Sequence, residues 1–343
     1  MSDKLDYRTA GVDIRAGEQA VEGIRDLVRS TYNANVMGDL GSFGGLYSFP
    51  HNSYSEPILV ASTDGVGTKL RVAIKANRYD TIGQDLVNHC VNYILVQGAM
   101  PLFFLDYIGL GSLEPQMIKQ IVSGMAKACT ENGCALIGGE MAEMPGIYHK
   151  GDFDLVGTIV GAVDKQNLLP GSRIQKGDIL IGIPSDGLHT NGYSLARRIV
   201  FEHLGLGVED HVASLDSNVA DLLLKVHRSY LPQLKPLLKD PRLHGLAHIT
   251  GGGIPGNLKR IIPEGLCAYV SYSDREIPPL FKWLQSSGNL DRSIMLETFN
   301  LGIGMIAVVD PAFSSDFLEA TSSLVIGEID SARHSGDLVV MID

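Results

Sequence analysis

A short segment in which an apolar strand runs directly into a glycine-rich loop constrains the fold of this chain most. Residues 58–60 are an Ile-Leu-Val run typical of a buried strand, and residues 61–69 continue it as Ala-Ser-Thr-Asp-Gly-Val-Gly-Thr-Lys. These groups suit a metal-bound polyphosphate, because oxygens bind Mg²⁺, open backbone N–H groups bind phosphate and an ammonium balances charge. The glycine-lysine spacing is not that of a Walker A loop. A hairpin turn, in which Asp and Gly only shape the backbone, explains the segment equally well.

Length and composition predict two domains that mix helices and strands. At 343 residues the chain is long for one hydrophobic core. Its 45% apolar content and 39 glycines are typical of a loop-rich α/β protein. Turn-forming residues cluster at 168–172, and a fresh apolar strand begins at Ile179. We therefore predict an N-terminal domain over 1–168 and a C-terminal domain over 169–343.

Charge and cysteine content argue against several classes of function. The formal net charge of −11 does not suit a surface for nucleic acid or for an anionic membrane. The four cysteines include no C-x-x-C pair, so they indicate neither a zinc site nor a disulfide framework. The N-terminus is polar, and no apolar run approaches the roughly 18 residues of a membrane span. We expect a cytoplasmic protein with reduced, mostly buried thiols.

Apolar periodicity alternates between helix and strand along the chain. In the N-terminal half it predicts helices at 16–31, 80–98 and 114–131, and strands at 58–62, 101–108, 134–138 and 154–163. The glycine-rich stretch 38–45 is predicted to be a mobile loop. In the C-terminal half the pattern predicts helices at 194–204, 218–239, 256–262, 278–287 and 312–322. Strands are predicted there at 179–183, 246–250, 266–272, 301–309, 324–329 and 337–342.

Two further groups in the N-terminal half offer oxygen ligands. Asp85 and Asn88 lie three apart on a predicted helix, hence on one face, where carboxylate and amide oxygens could bind a hard cation. An ordinary solvated helix face is the simpler interpretation of this pair alone. Gly138-Gly139-Glu140 follows an apolar strand and again sets a carboxylate beside flexible backbone at a strand end.

A loop of the C-terminal half contains a candidate proton-transfer group. The segment 185–192 joins a predicted strand to a predicted helix and includes His189 and Asn191. Such loops bind ligands in open sheets, and histidine is the side chain best suited to move protons near neutral pH. An isolated histidine is more often structural, but His189 lies among polar turn residues.

A second loop of the C-terminal half is a candidate anion site. Thr250 is followed by three glycines and a short predicted helix. Open N–H groups and a helix N-terminus suit an anion, and a plain tight turn would need only one glycine. The Gly302-Ile-Gly304 pattern matches a dinucleotide fingerprint, but apolar residues continue unbroken to Val309. That segment is typical of a strand, so the sequence does not predict NAD binding.

Taken in order, these segments resemble the phosphoribosylformylglycinamidine cyclo-ligase family, also called aminoimidazole ribonucleotide synthetases. The resemblance covers essentially the whole chain and rests on seven segments, at 10–14, 62–69, 101–107, 138–146, 187–195, 248–253 and 299–305. The strings Pro-Leu-Phe-Phe-Leu-Asp-Tyr at 101–107 and His-Ile-Thr-Gly-Gly-Gly at 248–253 are highly specific.

The resemblance implies a fold and a reaction. The fold is a two-domain α+β or α/β homodimer, in which each N-terminal domain contributes to a shared β-barrel and each C-terminal domain is α/β. The reaction is an ATP-dependent, Mg²⁺-requiring cyclisation of formylglycinamidine ribonucleotide to aminoimidazole ribonucleotide in purine synthesis. It proceeds through an iminophosphate and releases ADP and phosphate.

The resemblance also implies roles for individual residues. ATP would contact Thr63, Asp64, Gly65, Gly67, Lys69, Asp85, Gly138, Gly139 and Glu140. Mg²⁺ would be held by Asp64 and Glu140, with Asp85 or Asn88 as further ligands. His189 and Asn191 would lie near the reacting formyl group, and Lys69 would balance phosphate charge. The substrate 5′-phosphate would be bound by Thr250, Gly251, Gly252 and Gly253.

Three positions depart from the family's usual residues. Tyr93 stands where the family usually has Asp, Met100 where it has Glu and Met141 where it has Thr. A phenol with an ordinary pKa of about 10 is neutral at pH 7 and a poor Mg²⁺ ligand. One hypothesis is an active cyclo-ligase in which Asp85, Asn92 or Glu140 supplies the Mg²⁺ ligand that Tyr93 cannot. A second is a catalytically weakened relative that keeps the fold and nucleotide binding. A third is another ATP-using enzyme of the superfamily that phosphorylates a different oxygen.

Overall fold

The N-terminal half contains a four-stranded sheet and the helices beside it. The computed structural model describes residues 6–7, 9–334 and 336–342. In chain order the elements of this half are α1 (Ile14–Arg29), β1 (Pro57–Gly65), α2 (Leu70–Ala76), α3 (Asp80–Leu95), β2 (Met100–Leu110), α4 (Pro115–Glu131), β3 (Ala135–Glu143) and β4 (Phe153–Asp164). As predicted, residues 38–45 contain neither helix nor strand.

In the part of the chain that the structure describes, helices cover one face of this sheet and leave the other open. The strand order is β1-β4-β2-β3, antiparallel except for the β2–β3 pair. Helix α3 packs across one face and α4 packs against α3. On the other face Leu59 is 62% exposed, and the half-buried Phe103 and Leu105 lie on the same side by strand register. A mostly apolar face of this kind is suited to burial against another protein surface.

Two glycines allow α3 and α4 to approach closely. A Cβ at Gly83 would lie 2.0 Å from the carbonyl oxygen of Ile121, and one at Gly124 would lie 2.0 Å from that of Asp80. Only glycine permits this contact between helix backbones. Helix α3 is thereby held deep in the molecule, and nearly all of its residues are buried.

The C-terminal half contains a six-stranded sheet, a two-stranded ribbon and short helices. Its elements are β5 (Ile179–Pro184), α5 (Tyr193–Arg197), β6 (His211–Val212), β7 (Ser217–Asn218), α6 (Val219–Leu223), α7 (Leu231–Leu234), β8 (Leu243–His248), α8 (Gly253–Leu258), β9 (Leu266–Ser271), α9 (Pro279–Gly288), α10 (Arg292–Thr298), β10 (Ile303–Val309), α11 (Ser314–Thr321), β11 (Leu324–Ser331) and β12 (Val339–Ile342).

Strand order in the larger sheet decides which loops meet. The order is β12-β9-β11-β5-β10-β8, antiparallel except for the β12–β9 pair, so this half is α+β and not a parallel α/β sheet. Strands β5 and β8 flank β10, and both run antiparallel to it. The C-terminal ends of β5 and β8 therefore lie at the same end of the sheet. The loops that follow them, at 185–192 and 249–252, leave the sheet side by side.

The prediction of a helix over 218–239 is wrong across 224–230. The structure has short helices α6 and α7 with extended chain between them. Side chains of α3 form hydrogen bonds with the backbone of this segment. Asp85 accepts from the N–H of His227, and Asn88 donates to the carbonyl of the same residue. These bonds replace those that a helix would supply. We call residues 224–230 the bridging segment.

The other predicted elements are present with shifted ends. The strand predicted at 134–138 extends to Glu143, and the helix predicted at 194–204 divides into α5 and a π-helical stretch at Arg198–His203. All four cysteines are buried and free, as expected. Among the described residues, no helix combines the length and apolarity needed to cross a bilayer. Each sheet falls within one predicted domain, but the division at 168–169 stays a prediction.

Candidate functional site

The two adjacent loops of the C-terminal half are joined by Asn191. Its Oδ1 accepts a hydrogen bond from the N–H of Gly251 at 3.0 Å. The amide Nδ2 of the same side chain is buried without a hydrogen-bond partner among the described residues. Asn191 therefore fixes the glycine loop with one end and keeps a free donor at the other.

His189 is a buried, neutral hydrogen-bond donor. The N–H of Asp186 donates to its Nε2 at 3.2 Å, which assigns the ring proton to Nδ1. That Nδ1 is buried and has no partner among the described residues. Burial, reinforced by the positive charge of Lys69, lowers the pKa of His189 well below its ordinary value. The backbone φ is +58°, in the left-handed region that side chains rarely adopt.

The glycine loop that follows β8 is held by Asn257. The Asn257 side chain donates to the carbonyls of Thr250, Gly251 and Gly253 and accepts from the Thr250 hydroxyl. A Cβ at Gly253 would lie 1.8 Å from the carbonyl oxygen of Leu296, so close packing against α10 requires that glycine. Part of the glycine run is thus explained by packing and not by an anion.

Asp64 lies near the end of β1, beside the glycine-rich loop that follows this strand, and its carboxylate is accessible to solvent. Its Oδ1 accepts from the N–H of Gly65 at 2.7 Å, and its Oδ2 lies 3.0 Å from Nε2 of His89. The side chain is 41% exposed. Burial is the largest single influence and opposes ionisation, but the contacts with His89, the Gly65 N–H and Tyr93 together lower the pKa of Asp64. Beyond it Gly67 is exposed, so the loop is open to a ligand.

Tyr93 lies between Asp64 and the glycine loop. Its phenol lies beside Thr250 and Asp64, and its ring contacts those of His89 and His248. Burial, helped by the negative charge of Asp64, raises the pKa of Tyr93 to about 12. The position at which the resemblance implies Asp therefore holds a neutral phenol beside Asp64.

Lys69 and Asp85 are both fully buried and form an ion pair, with Nζ 2.7 Å from Oδ2. Nζ also donates to the carbonyl oxygen of Lys225 at 2.6 Å. Burial lowers the pKa of Lys69 and raises that of Asp85, while their mutual attraction acts in the opposite direction on each. Because Asp85 already neutralises the ammonium, Lys69 in this geometry stabilises the fold and does not face a phosphate site.

The predicted cation ligands on α3 face the bridging segment. Asp85 accepts from the N–H of His227, and Asn88 donates to the His227 carbonyl while accepting from Asn132. Asn92 continues the row by donating to the carbonyl of Arg228. These oxygens and amides tie the two halves of the molecule together and are not open to a metal.

Glu140 is not brought to Asp64 within one chain. Asp64, Gly157, Asp106 and Gly139 are aligned across β1, β4, β2 and β3. Three strand spacings of about 4.8 Å separate the edge strands by roughly 14 Å. Glu140 is the next residue along β3, so its side chain projects to the opposite face. The structure therefore places these two predicted metal ligands apart.

A cavity of about 600 Å³ lies at the β3 edge. Gly138, Gly139 and Glu140 line it together with α1 residues, Asp106 and the loop 39–45. Burial raises the pKa of Asp106 to about 7. Cavities of this size accommodate nucleotide-sized ligands. No lysine or arginine lines it among the described residues.

Three buried histidines meet beside Asp64, and sequence reasoning did not single out two of them. His89 on α3, His227 in the bridging segment and His248 at the end of β8 each bring one ring nitrogen to within 4.8 Å of the other two. We call these three residues the histidine cluster. His248 belongs to a segment that the resemblance includes, but no local pattern marks His89 or His227.

Two family models match most of the chain. The model described as AIR synthase related protein, N-terminal domain, matches residues 52–163. The corresponding C-terminal domain model matches residues 175–339.

Known relatives match nearly the full length. The phosphoribosylformylglycinamidine cyclo-ligase of Geotalea uraniireducens is 47% identical over 344 residues, covering 99% of this chain and 99% of its own. The protein of the same name from Desulfitobacterium hafniense is 49% identical over 328 residues, covering 94% of this chain and 96% of its own.

Solved structures share the fold at low identity. A thiamine-monophosphate kinase from Stenotrophomonas maltophilia matches with a TM-score of 0.68 and 18% identity, over 92% of this chain and 95% of its own. The hydrogenase maturation protein HypE in complex with ATP matches with a TM-score of 0.66 and 19% identity, over 97% of this chain and 93% of its own. At such identities the likeness concerns the fold alone.

Proposed function

This chain belongs to the AIR synthase-related family of phosphoribosylformylglycinamidine cyclo-ligases, and from that membership we propose that it closes the imidazole ring of aminoimidazole ribonucleotide. Its substrates are formylglycinamidine ribonucleotide and ATP, and its other products are ADP and phosphate, as a cytoplasmic step of purine biosynthesis. The formyl oxygen takes the γ-phosphoryl group, the amidine nitrogen attacks the same carbon, and the C–O bond breaks as phosphate leaves.

The observation that best supports this chemistry is the pair of free donors on the loop after β5. Nδ1 of His189 and Nδ2 of Asn191 are buried, and neither has a partner among the described residues. Buried donors are rarely left unsatisfied unless a ligand completes them. The reaction develops negative charge on the formyl oxygen and its phosphoryl group, both acceptors. We assign His189 and Asn191 to those oxygens, with His189 as a neutral donor that can also pass on its proton.

The residues at the end of β1 fit a magnesium-bound nucleotide. Mg²⁺ usually takes one or two protein carboxylates and fills its other positions with phosphate oxygens and water. Asp64 is a half-exposed, ionised carboxylate beside the open loop of Gly65 and Gly67. Bound Mg²⁺ would neutralise charge on the β- and γ-phosphates. Thr63 and these glycines would line the phosphates, and the loop 250–253 would bind the substrate 5′-phosphate through backbone N–H groups.

A homodimer would bring the second carboxylate to this site. Strands β1 and β3 are opposite edges of one sheet, so two copies that close a shared barrel with β1 of one beside β3 of the other would set the second copy's segment 138–140, which includes Glu140, beside the strand end that carries Asp64. The cavity lined by Gly138 and Gly139 would then hold part of the ATP. The open apolar face of the sheet supports such a closure.

Mixing two inactive variants tests the shared site. Asp64→Ala and Glu140→Ala homodimers should each be inactive, whereas mixed dimers contain one intact site of two. Activity after unfolding and refolding the mixture together should return to about a quarter of wild type. Persistent inactivity of a mixture shown to contain mixed dimers would assign both carboxylates to a site within one chain.

Tyr93 favours a second candidate function. A phenol beside Asp64 supplies no charge to a cation, so the chain could bind nucleotide while turning over slowly. Substrate-dependent release of ADP, measured with a coupled assay, separates the two. Turnover in the wild-type chain supports the cyclo-ligase. ADP release only after Tyr93→Asp would support the weakened relative.

A further inference from the structure

The histidine cluster joins three separate parts of the chain in a buried position. His89, His227 and His248 are 3%, 0% and 5% exposed. Nε2 of His227 lies 3.1 Å from Nε2 of His248, and the ring of His189 stacks on that of His227 at 4.0 Å. Four imidazoles in a closed interior need a reason other than apolar packing, because each buried polar nitrogen requires a partner.

The spacing of the three rings matches that of ligands around one metal ion. Nitrogens bound to a tetrahedral Zn²⁺ lie about 2.1 Å from it and hence roughly 3.4 Å from one another, with ring centres roughly 5 Å apart. The three ring centres here are separated by 5.0, 5.5 and 5.2 Å. The Nε2 atoms of His227 and His248 are also close to the separation expected of two ligands.

Hydrogen bonds around the cluster orient its lone pairs. Asp64 accepts from Nε2 of His89, which leaves the lone pair on Nδ1. The Thr190 hydroxyl lies 3.3 Å from Nδ1 of His89 and 3.3 Å from Nδ1 of His227. The hydroxyl oxygen can accept from Nδ1 of His227, which leaves the lone pair of that ring on Nε2, and any donation from the hydroxyl to Nδ1 of His89 is given up when that nitrogen binds the ion. Nδ1 of His248 has no partner among the described residues.

We propose that His89, His227 and His248 form a binding site for one divalent transition-metal ion, with Zn²⁺ as the best match. Neutral imidazole nitrogens suit Zn²⁺, Co²⁺ and Ni²⁺, whereas Mg²⁺ requires oxygen ligands. Thr190 and Asp64 act as the outer partners that hold the rings of His227 and His89. The site is thus distinct in chemistry from the magnesium-nucleotide site proposed above, although Asp64 borders both.

A metal ion at this position would connect the two halves of the molecule. His89 belongs to the N-terminal half, while His227 and His248 belong to the C-terminal half. A bound ion would therefore link the two halves beside the loop of His189. Binding to the folded state alone raises stability with metal concentration.

Metal titration of the full chain tests the proposal. Protein without a polyhistidine tag is stripped with a chelator and titrated with Zn²⁺ by calorimetry and with Co²⁺ by visible absorption. We expect one ion per chain, tetrahedral Co²⁺ bands that excess Mg²⁺ leaves unchanged, and a higher melting temperature with Zn²⁺. His89→Gln and His227→Gln should each weaken Zn²⁺ binding by about a hundredfold or more.

A matched control separates the cluster from adventitious binding. His211 is exposed and lies outside the cluster, so His211→Gln should bind Zn²⁺ as wild type does. Circular dichroism confirms folding, and if one cluster variant fails to fold the other decides. A folded, stripped wild-type chain that takes up neither Zn²⁺ nor Co²⁺ overturns the proposal. Equal Zn²⁺ affinities of the cluster variants and the control overturn it as well.

Discussion

Lys69 and Asp85 form an ion pair in which Nζ and Oδ2 lie 2.7 Å apart and both side chains are inaccessible to solvent. The pair contacts the bridging segment at both ends, since Lys69 donates to the carbonyl of Lys225 and Asp85 accepts from the N–H of His227. Two residues that the sequence marks as nucleotide ligands therefore hold the two halves of the molecule in register.

Breaking this pair should destabilise the fold. Lys69→Met leaves Asp85 buried without its counter-charge, and losses of about 3–5 kcal/mol in the free energy of unfolding are typical of that change. Lys69→Met combined with Asp85→Asn removes both charges and keeps an acceptor for His227, so it should recover most of the loss. Chemical denaturation measures both variants. Equal stability of wild type and Lys69→Met would show that the ammonium is not bracing the fold.

Asp64→Ala should lower ATP turnover by orders of magnitude and leave the dimer folded. The carboxylate is half-exposed and lies beside an open loop. Its removal should therefore weaken ligand binding and have little effect on the stability of the fold. Glu56→Ala, an exposed carboxylate just before the same strand, is the control and should keep wild-type turnover. Unchanged turnover in Asp64→Ala would remove Asp64 from the site.

Tyr93→Asp should tighten binding of Mg²⁺-ATP by at least about tenfold, because a second carboxylate then stands beside Asp64. Tyr93→Phe removes the hydroxyl without adding charge, so it should not tighten binding. Calorimetric titration compares the three forms. Equal affinity of wild type and Tyr93→Asp would mean that Tyr93 does not border the nucleotide, and the case for a weakened enzyme would lapse.

The open face of the N-terminal sheet should be a dimer interface. Leu59, on the edge strand β1 of this face, is 62% exposed, and Leu59→Glu should shift sedimentation at micromolar concentration from dimer to monomer. Ile294→Glu alters an exposed apolar residue of α10 and should leave the dimer intact. A wild-type chain that sediments as a monomer would contradict this interface.

Local sequence signals predicted the elements and loops well, and long-range pairing decided the rest. The end of β1 and the loops after β5 and β8 lie where glycine and apolar patterns indicate. The separation of Asp64 from Glu140 follows from the order β1-β4-β2-β3, which no local pattern contains. Likewise the helix predicted over 218–239 failed where side chains of α3, more than a hundred residues earlier, bind the backbone.

The histidine cluster was hidden for the same reason. His89, His227 and His248 have no shared spacing in the sequence, and each alone is an unremarkable buried histidine. Only the packing of α3 against the bridging segment and β8 brings them together. Conversely, Asp85 and Asn88 have a ligand-like spacing on one helix face, but that face is turned toward the bridging segment.

Tracing the formyl oxygen of the substrate tests the proposed reaction most directly. Formylglycinamidine ribonucleotide labelled with heavy oxygen at the formyl group is incubated with ATP, Mg²⁺ and the wild-type chain, and the products are analysed by mass spectrometry. We predict aminoimidazole ribonucleotide and ADP in equal amounts, with the heavy oxygen in the released phosphate. Absence of ring closure, in wild type and in Tyr93→Asp alike, would contradict the assignment of this chain as a cyclo-ligase.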